Sequence, residues 1–537
     1  MKKHKFLSIS CLFLFLVNSN FSYSQKTEQW DRFEVAYKYS DSKNPFTDVQ
    51  LSATFMSKDT FISVSGFYDG NNIFKIRFMP ENTGVWNFET HSNVALLNNK
   101  KGSFECVKAT GNNHGIVRVS DTYNFRYSDG KQYYPFGTTA YAWTHMGQEL
   151  QEMTLRTLEK SGFNKIRMCV FPKNYNLVKE EPELYPFEVN TTQKDEKGNE
   201  IKVWDFTKFN PSFFQHLEKR IDDLNMLGIE ADLILFHPYD KGRWGFDAMP
   251  NDINVKYIKY LIARLASYRN VWWSLANEYD YVAAKTDSDW DLLSKTVFET
   301  DPYRHLCSIH GSTAKYYKYW EPWYTHVSIQ DEAPVADFGR ASILRNAYYK
   351  PIVYDEVCYE GNLKNRWGRF SGEEMTHAIW QGVIAGTYVT HGESYMFKNA
   401  TDTIFWAKGG FFKGTSWKRV TFLRNILEET GPLELADVSR DHKTATNGKG
   451  IYIVYFGKEM FDVWHFNLPA KNAGFQKIKG GKKYKVELID TWDMTIIPVS
   501  TIFETDYEKD YRLYDKEGKL VSLPAKPYMA LKIQEIL

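Results

Sequence analysis

Val271-Trp272-Trp273-Ser274-Leu275-Ala276-Asn277-Glu278-Tyr279-Asp280 is the stretch that decides the fold. Up to Ala276 it is uncharged, β-branched or aromatic, and it then stops in a polar cluster carrying a carboxylate. This is the pattern of a short buried strand. Upstream, Ile253, Ile258, Leu261, Ile262 and Leu265 recur at helical spacing behind Asn251-Asp252, which reads as a helix cap. A helix feeding a buried strand that delivers a carboxylate at its C-terminal end is one unit of a (β/α)8 TIM barrel, whose chemistry sits at that end. Lys350-Pro351-Ile352-Val353-Tyr354-Asp355-Glu356 repeats the pattern, a short apolar run ending in acid. The two glutamates are 78 residues apart (356 − 278), or three compact βα units.

Outward from these strands the rest of a barrel can be traced. Strands are expected at 134–141, 165–171, 229–237, 304–310, 326–330 and 386–391, with helices over 150–161, 210–228 and 422–429. Asn210-Pro211 is a cap followed by proline in the first turn. Residues 174–206 are too long for a simple βα loop and imply a hairpin turning near 195–198, an insertion suited to an active-site wall. Before the barrel, the hairpin 125–134 turns at Asp129-Gly130. Residues 25–111 alternate in short strands separated by Asp69-Gly70-Asn71-Asn72 and Asn82-Thr83-Gly84, which predicts an Ig-like β-sandwich. After Gly431-Pro432 the period returns to two, predicting a second sandwich over 433–537, with the barrel occupying 112–432.

At 537 residues with 43% hydrophobic and 25% charged side chains, the chain is globular. A net charge of +1 gives no electrostatic case for nucleic acid or an anionic membrane. Lys2, Lys3 and Lys5 precede the apolar run 6–17, and Ser22 and Ser24 stand before Gln25. This reads as a cleavable signal peptide over 1–24, too short to span a membrane, and implies a secreted or periplasmic protein. Cys11 lies inside the apolar run with no cysteine at the cleavage point, so no lipoprotein signal is expected. The other cysteines, 106, 169, 307 and 358, fit no zinc motif and read as buried thiols. No metal or organic cofactor is implied, and the oligomeric state is not readable.

"WWSLANEYD" and "PIVYDE" together resemble the acid/base and nucleophile strands of the clan of retaining (β/α)8 glycoside hydrolases. "PENTGVWNFETHS", "YYPFGTTAYAW", "YVTHGESY", "FWAKGG" and "VELIDTWDM" extend the resemblance to an apiosidase-like group with an N-terminal DUF5060-type sandwich and a C-terminal DUF5605-type β domain. The resemblance implies Glu278 as general acid/base and Glu356 as nucleophile, acting on a plant or algal oligo- or polysaccharide. The chemistry agrees, because glycosidic cleavage takes one acid for the leaving oxygen and a second carboxylate across the anomeric carbon. Asn277 is then placed to bond the sugar 2-hydroxyl. Arg167 and His237, at strand ends, are candidates for the nucleophile or the sugar, with a structural ion pair or a satisfied core histidine as the alternatives. Tyr141, Trp143, His310, His391 and Trp406 are candidates for the pocket wall. Glu393 is a third acid able to bind sugar or partner Glu278. Asp355 should face away from Glu356 on its strand. An inverting glycosidase and an inactive carbohydrate-binding barrel are the competing readings, and the insertion favours exo action.

Overall fold

The computed structural model describes residues 25–536 except 176, 195–197, 199, 333–337, 398–402, 438–440 and 472–476. The expected signal segment and the tip of the 187–209 hairpin lie outside them. The described part is mixed α/β, with parallel sheets in the middle of the chain and antiparallel sheets on either side.

The middle region contains a five-stranded parallel sheet, in the order Gly137–Thr139, Lys165–Cys169, Glu230–Phe236, Val271–Ala276 and Cys307–Ser308. A three-stranded parallel sheet follows, Val327–Gln330, Ile352–Glu356 and Tyr388–Val389. Single parallel bridges join their borders, His310 to Ser328 and Thr138 to His391. The strands are uniformly buried, as expected of parallel strands covered on both faces. Three expected strands are shorter than their apolar runs, because their ends are held by single bonds such as His310 N–H to the Ala276 carbonyl (3.0 Å).

The helices fall largely where their periodicity places them: Gln148–Glu159, Pro211–Met226, Asn251–Leu265 and Ser416–Thr430. Asn210 caps its helix through Ser212 N–H (3.1 Å). Asn251-Asp252 does not cap the next one. Pro250 occupies the cap position without a side-chain bond, and the Asn251 amide reaches Asp289 instead (2.5 Å). Between Cys307–Ser308 and Val327–Gln330 no helix intervenes, which accounts for the short spacing of that unit. Phenolic side chains fill the place, and the Tyr319 hydroxyl lies 2.9 Å from the Ile309 carbonyl and 2.6 Å from that of Ser328, spanning two strands. The insertion forms the expected hairpin, Phe187–Lys194 against Glu200–Phe209.

The N-terminal region is a five-stranded and a three-stranded sheet pressed together through stacked rings. Phe33 meets Phe104 and Phe55 meets Phe78, each pair at 4.1 Å. The C-terminal region is built of antiparallel pairs. One strand order of eight runs through it, with a separate two-stranded ribbon, around Phe466, Leu468, Tyr484, Phe503 and Leu531. Thr495–Lys509 is a 15-residue strand with a register shift that pairs with Lys483–Asp490 at one end and Arg512–Asp515 at the other. Cys106, Cys169, Cys307 and Cys358 are buried free thiols.

A buried charge cluster ties the N-terminal sheets to the middle region. Arg77 donates to the Arg264 carbonyl (2.9 Å) and to Glu218 (3.1 Å), and Arg264 donates to Glu218 and to Asp69, each at 2.6 Å. Burial acts to raise the Glu218 carboxyl, but the two guanidiniums outweigh it and hold it at about 2, below its ordinary value near 4.5. Its contribution to stability is therefore full above pH 4.5 and is lost as pH falls through about 2. Glu218→Ala leaves two buried guanidiniums short of a partner and should cost about 3–5 kcal/mol, read as a lowered melting temperature at neutral pH. The difference from the parent should shrink toward pH 2.

Candidate active site

The strand Val271–Ala276 ends where the backbone is gripped on both sides. Asn277 N–H bonds the Phe236 carbonyl (3.0 Å) and Tyr279 N–H bonds the His310 carbonyl (3.0 Å). Between them Glu278 is held at φ 46°, a left-handed conformation that costs a non-glycine residue of order 1 kcal/mol or more. Such a cost persists where the surroundings over-determine it. The Glu278 side chain is buried, and among the described residues its Oε2 has no hydrogen-bond partner. Burial, and then the negative charge of Glu356, push its carboxyl up to about 8.

Glu356 is as deeply buried but has the opposite surroundings. The Tyr141 hydroxyl donates to its Oε1, while Arg167 Nη1 and His310 Nε2 each stand 3.5 Å from the same oxygen. Burial alone would raise this carboxyl; His310, Arg167 and Tyr141 together overturn that and hold it down at about 2. Arg167 also donates from Nη2 to Asn277 Oδ1 (3.1 Å), which fixes the asparagine beside both acids. Asp355 faces the other way, as strand alternation requires. It accepts from Lys165 Nζ (2.6 Å), the Ser328 hydroxyl (2.6 Å) and the Thr390 hydroxyl (3.1 Å). Lys165 also bonds Asp232 (2.9 Å), so cations and carboxylates alternate beneath the pair.

Tyr141, Arg167, Asn277 and His310 thus converge on Glu356. Trp406 belongs to the same cluster, its ring 5.6 Å from Tyr141 and 5.1 Å from Trp367. It is brought there by the bond from Tyr141 N–H to the Trp406 carbonyl (3.0 Å). The indole N–H of Trp406 is buried without a partner among the described residues, and the Tyr359 hydroxyl lies close to Glu356 and Tyr141. An unpaired buried donor calls for a polar partner.

The structure does not bring the other sequence candidates to this cluster. Both nitrogens of His237 are engaged by main chain, Nε2 with the Phe171 carbonyl (3.2 Å) and Nδ1 with Tyr239 N–H (3.2 Å). It is a satisfied core histidine, held neutral by burial, its pKa about 3. Trp143 is fully buried with its N–H on the Met168 sulfur (3.4 Å). His391 packs between Phe163 and Phe412 and pairs with the Thr138 hydroxyl (3.0 Å). Glu393 accepts from Lys413 and Gly414 N–H (2.7 and 2.8 Å), while Glu360 accepts from Thr415 and Ser416 N–H (2.8 and 3.0 Å). Together these two acids clamp the turn that opens the helix Ser416–Thr430. The ligand-type atoms of Glu360, His391 and Glu393 lie within 4.8 Å of one another, a spacing a cation could use. Their carboxylate oxygens are already occupied by the turn.

Sequence reasoning missed Lys173, Tyr175, Tyr239 and Tyr359. Lys173 lies a few residues past the end of Lys165–Cys169, and its amino group faces aromatic rings. Tyr141→Phe should leave the fold intact and raise the Glu356 carboxyl pKa from about 2. Carbon-13 NMR titration of labelled glutamate would read the change.

Comparison with known proteins now adds identity to geometry. Residues 120–432 match the model of the apiosidase-like catalytic domain, residues 26–93 a domain of unknown function, DUF5060, and residues 440–534 another, DUF5605. A crystal structure of a candidate glycoside hydrolase from Bacteroides vulgatus is 57% identical, with a TM-score of 0.93 over 96% of this chain and 100% of that one. A glycoside hydrolase family 5 structure from the same species has 14% identity and a TM-score of 0.56 over 78% of this chain and 93% of that one, a likeness of fold. No protein of curated function matches the sequence. The apiosidase-like catalytic match and the glycoside hydrolase structure make the chain a glycoside hydrolase. The chain belongs to the apiosidase-like family.

Proposed function

We propose that the two parallel sheets together form a closed (β/α)8 barrel over 112–432, set between β-sandwich domains at 25–111 and 433–537. In this reading Glu278 and Glu356 cleave glycosidic bonds of a plant or algal oligo- or polysaccharide with retention of configuration. The observation that carries it is the contrast between two buried strand-end carboxylates. One has an unpartnered oxygen and is pushed up to about 8; the other accepts from Tyr141, has Arg167 and His310 within 3.5 Å, and is held at about 2. Environments that drive two carboxyls apart in this way assign the acid and the nucleophile.

Glu356 attacks the anomeric carbon as the glycosidic C–O bond breaks, and Glu278 gives its proton to the departing oxygen. The sugar is then an ester of Glu356. In the second half Glu278, now a carboxylate, takes a proton from water, whose oxygen attacks the same carbon and frees Glu356. Asn277, oriented by Arg167, bonds the sugar 2-hydroxyl. Tyr141, His310 and Arg167 hold Glu356 ionised and stationary, and Trp406 supplies a flat wall. A wall from the described part of the insertion, the hairpin Phe187–Lys194 and Glu200–Phe209, favours removal of terminal sugars. Residues 1–24 direct export to the periplasm or the medium.

Product stereochemistry by proton NMR tests the mechanism. The expected product keeps the substrate's anomeric configuration, and inversion would remove Glu356 as nucleophile. Glu278→Gln and Glu356→Gln should each lose about two to four orders of magnitude in kcat. Binding retained at parental strength, with no turnover by the parent, would favour a carbohydrate-binding barrel. In the free enzyme, kcat/KM should fall as pH rises through about 8, where Glu278 gives up its proton, and as pH falls toward 2, where Glu356 gains one.

A further inference from the structure

Lys173 places a buried amino group among ring faces at the edge of the acid pair; burial draws its pKa below the ordinary lysine value, against the pull of Glu356 and Glu278. Its Nζ is 3.9 Å from the ring centre of Tyr141, 4.1 Å from Tyr239, 5.0 Å from Trp406 and 5.2 Å from Tyr175. The residue is 3% exposed, and among the described residues Nζ has neither a hydrogen-bond acceptor nor an ion-pair partner within bonding distance. Ring faces return only part of what burying a cation costs. The neighbouring acids attract it but do not complete it. Glu356 already faces Tyr141, Arg167 and His310, and Glu278 holds its proton when poised to act as the acid. Of the other basic residues nearby, Lys408 is paired with Glu180 and Arg243 with Glu181. Lys241, on the surface, lies 5.8 Å from the outer Tyr175 ring and continues the positive charge outward.

A neutral sugar would offer hydroxyl acceptors to Lys173 and leave its charge unmatched. An anionic sugar satisfies both needs. We propose that Lys173 is a specificity-determining residue that receives an anionic substituent, a carboxylate or a sulfate ester, on the sugar bound beside Glu278. The substrate is then a uronate- or sulfate-bearing glycan. The inference rests on the hydrolase reading of Glu278 and Glu356 for where that sugar lies.

Two sets of matched oligosaccharides test it: uronate-containing plant oligosaccharides beside their carboxyl-reduced counterparts, and sulfated algal oligosaccharides beside their desulfated ones. For the parent enzyme, kcat/KM on the charged member of one set should exceed that on its neutral twin by roughly 10- to 100-fold, the worth of one charged hydrogen bond. The set that shows the preference identifies carboxylate or sulfate. Lys173→Met should bring the ratio to about 1 whatever the rate loss common to both twins, and Lys173→Arg should keep part of it. Binding to Glu278→Gln, followed by calorimetry, reads the same preference without turnover. Cleavage of both twins at equal rates by the parent overturns the inference and leaves the hydrolase reading standing. Selectivity that survives Lys173→Met overturns it too, as does a failure to bind any charged member. Charged glycans bound through Lys173 but never cut would instead sustain anion recognition and sink the catalytic roles of the two glutamates.

Discussion

Everything at the site depends on the burial of alternating charges beneath two strand ends. Arg167 touches Glu356, Asp355 and Asp232 at 3.5–3.7 Å, and Lys165 bonds the two aspartates from the other side. Ions removed from water are tolerable only when their partners are fixed, so this cluster demands strands in one register and no other. Glu356 then sits in a field it did not create. Its ionisation is decided by residues on three other strands and their ends, Tyr141, Arg167 and His310. Glu278 stands outside that field and keeps its proton. The contrast in environment between the two acids follows from which strand each one ends.

The strands that carry these acids were legible because two buried faces leave an unmistakable run, as in Val271–Ala276 and Ile352–Glu356. Asn210-Pro211 and the alternation before Val107 were equally readable, since cap chemistry and strand period are local properties. The pocket wall was not. Trp143, His237 and His391 stand at or near strand ends just as Tyr141 and Arg167 do, and only the packing separates them. Trp143 turns into the core, and His237 spends both nitrogens on main chain. Glu393 resembles a catalytic acid in sequence, yet a turn twenty residues later claims both its oxygens. Lys173 was hidden for the converse reason. A lysine after a strand ordinarily reaches solvent, and what retains this one is aromatic residues drawn from distant loops.

The flanking regions are joined to the middle by different means. On the N-terminal side the join is ionic and buried, through Arg77, Glu218, Arg264 and Asp69. On the C-terminal side it is aromatic and polar, with His377 on the Tyr455 hydroxyl (2.8 Å) and Arg419 over the Trp492 ring (4.0 Å). The first fixes one geometry, because an ill-placed guanidinium would be left unpaired. The second tolerates small adjustments of angle.

The helix missing between Cys307–Ser308 and Val327–Gln330 has a consequence of its own. Elsewhere a helix covers the strands with several buried side chains, such as Phe213, Leu217, Ile221 and Leu224 of Pro211–Met226, and losing one thins the cover without opening it. Here the Tyr319 hydroxyl reaches carbonyls of both neighbouring strands, with Tyr317 and Tyr324 packed beside it. The seam is sealed by a few large pieces and carries little redundancy. Loss of the Tyr319 hydroxyl would remove both of its carbonyl contacts at once.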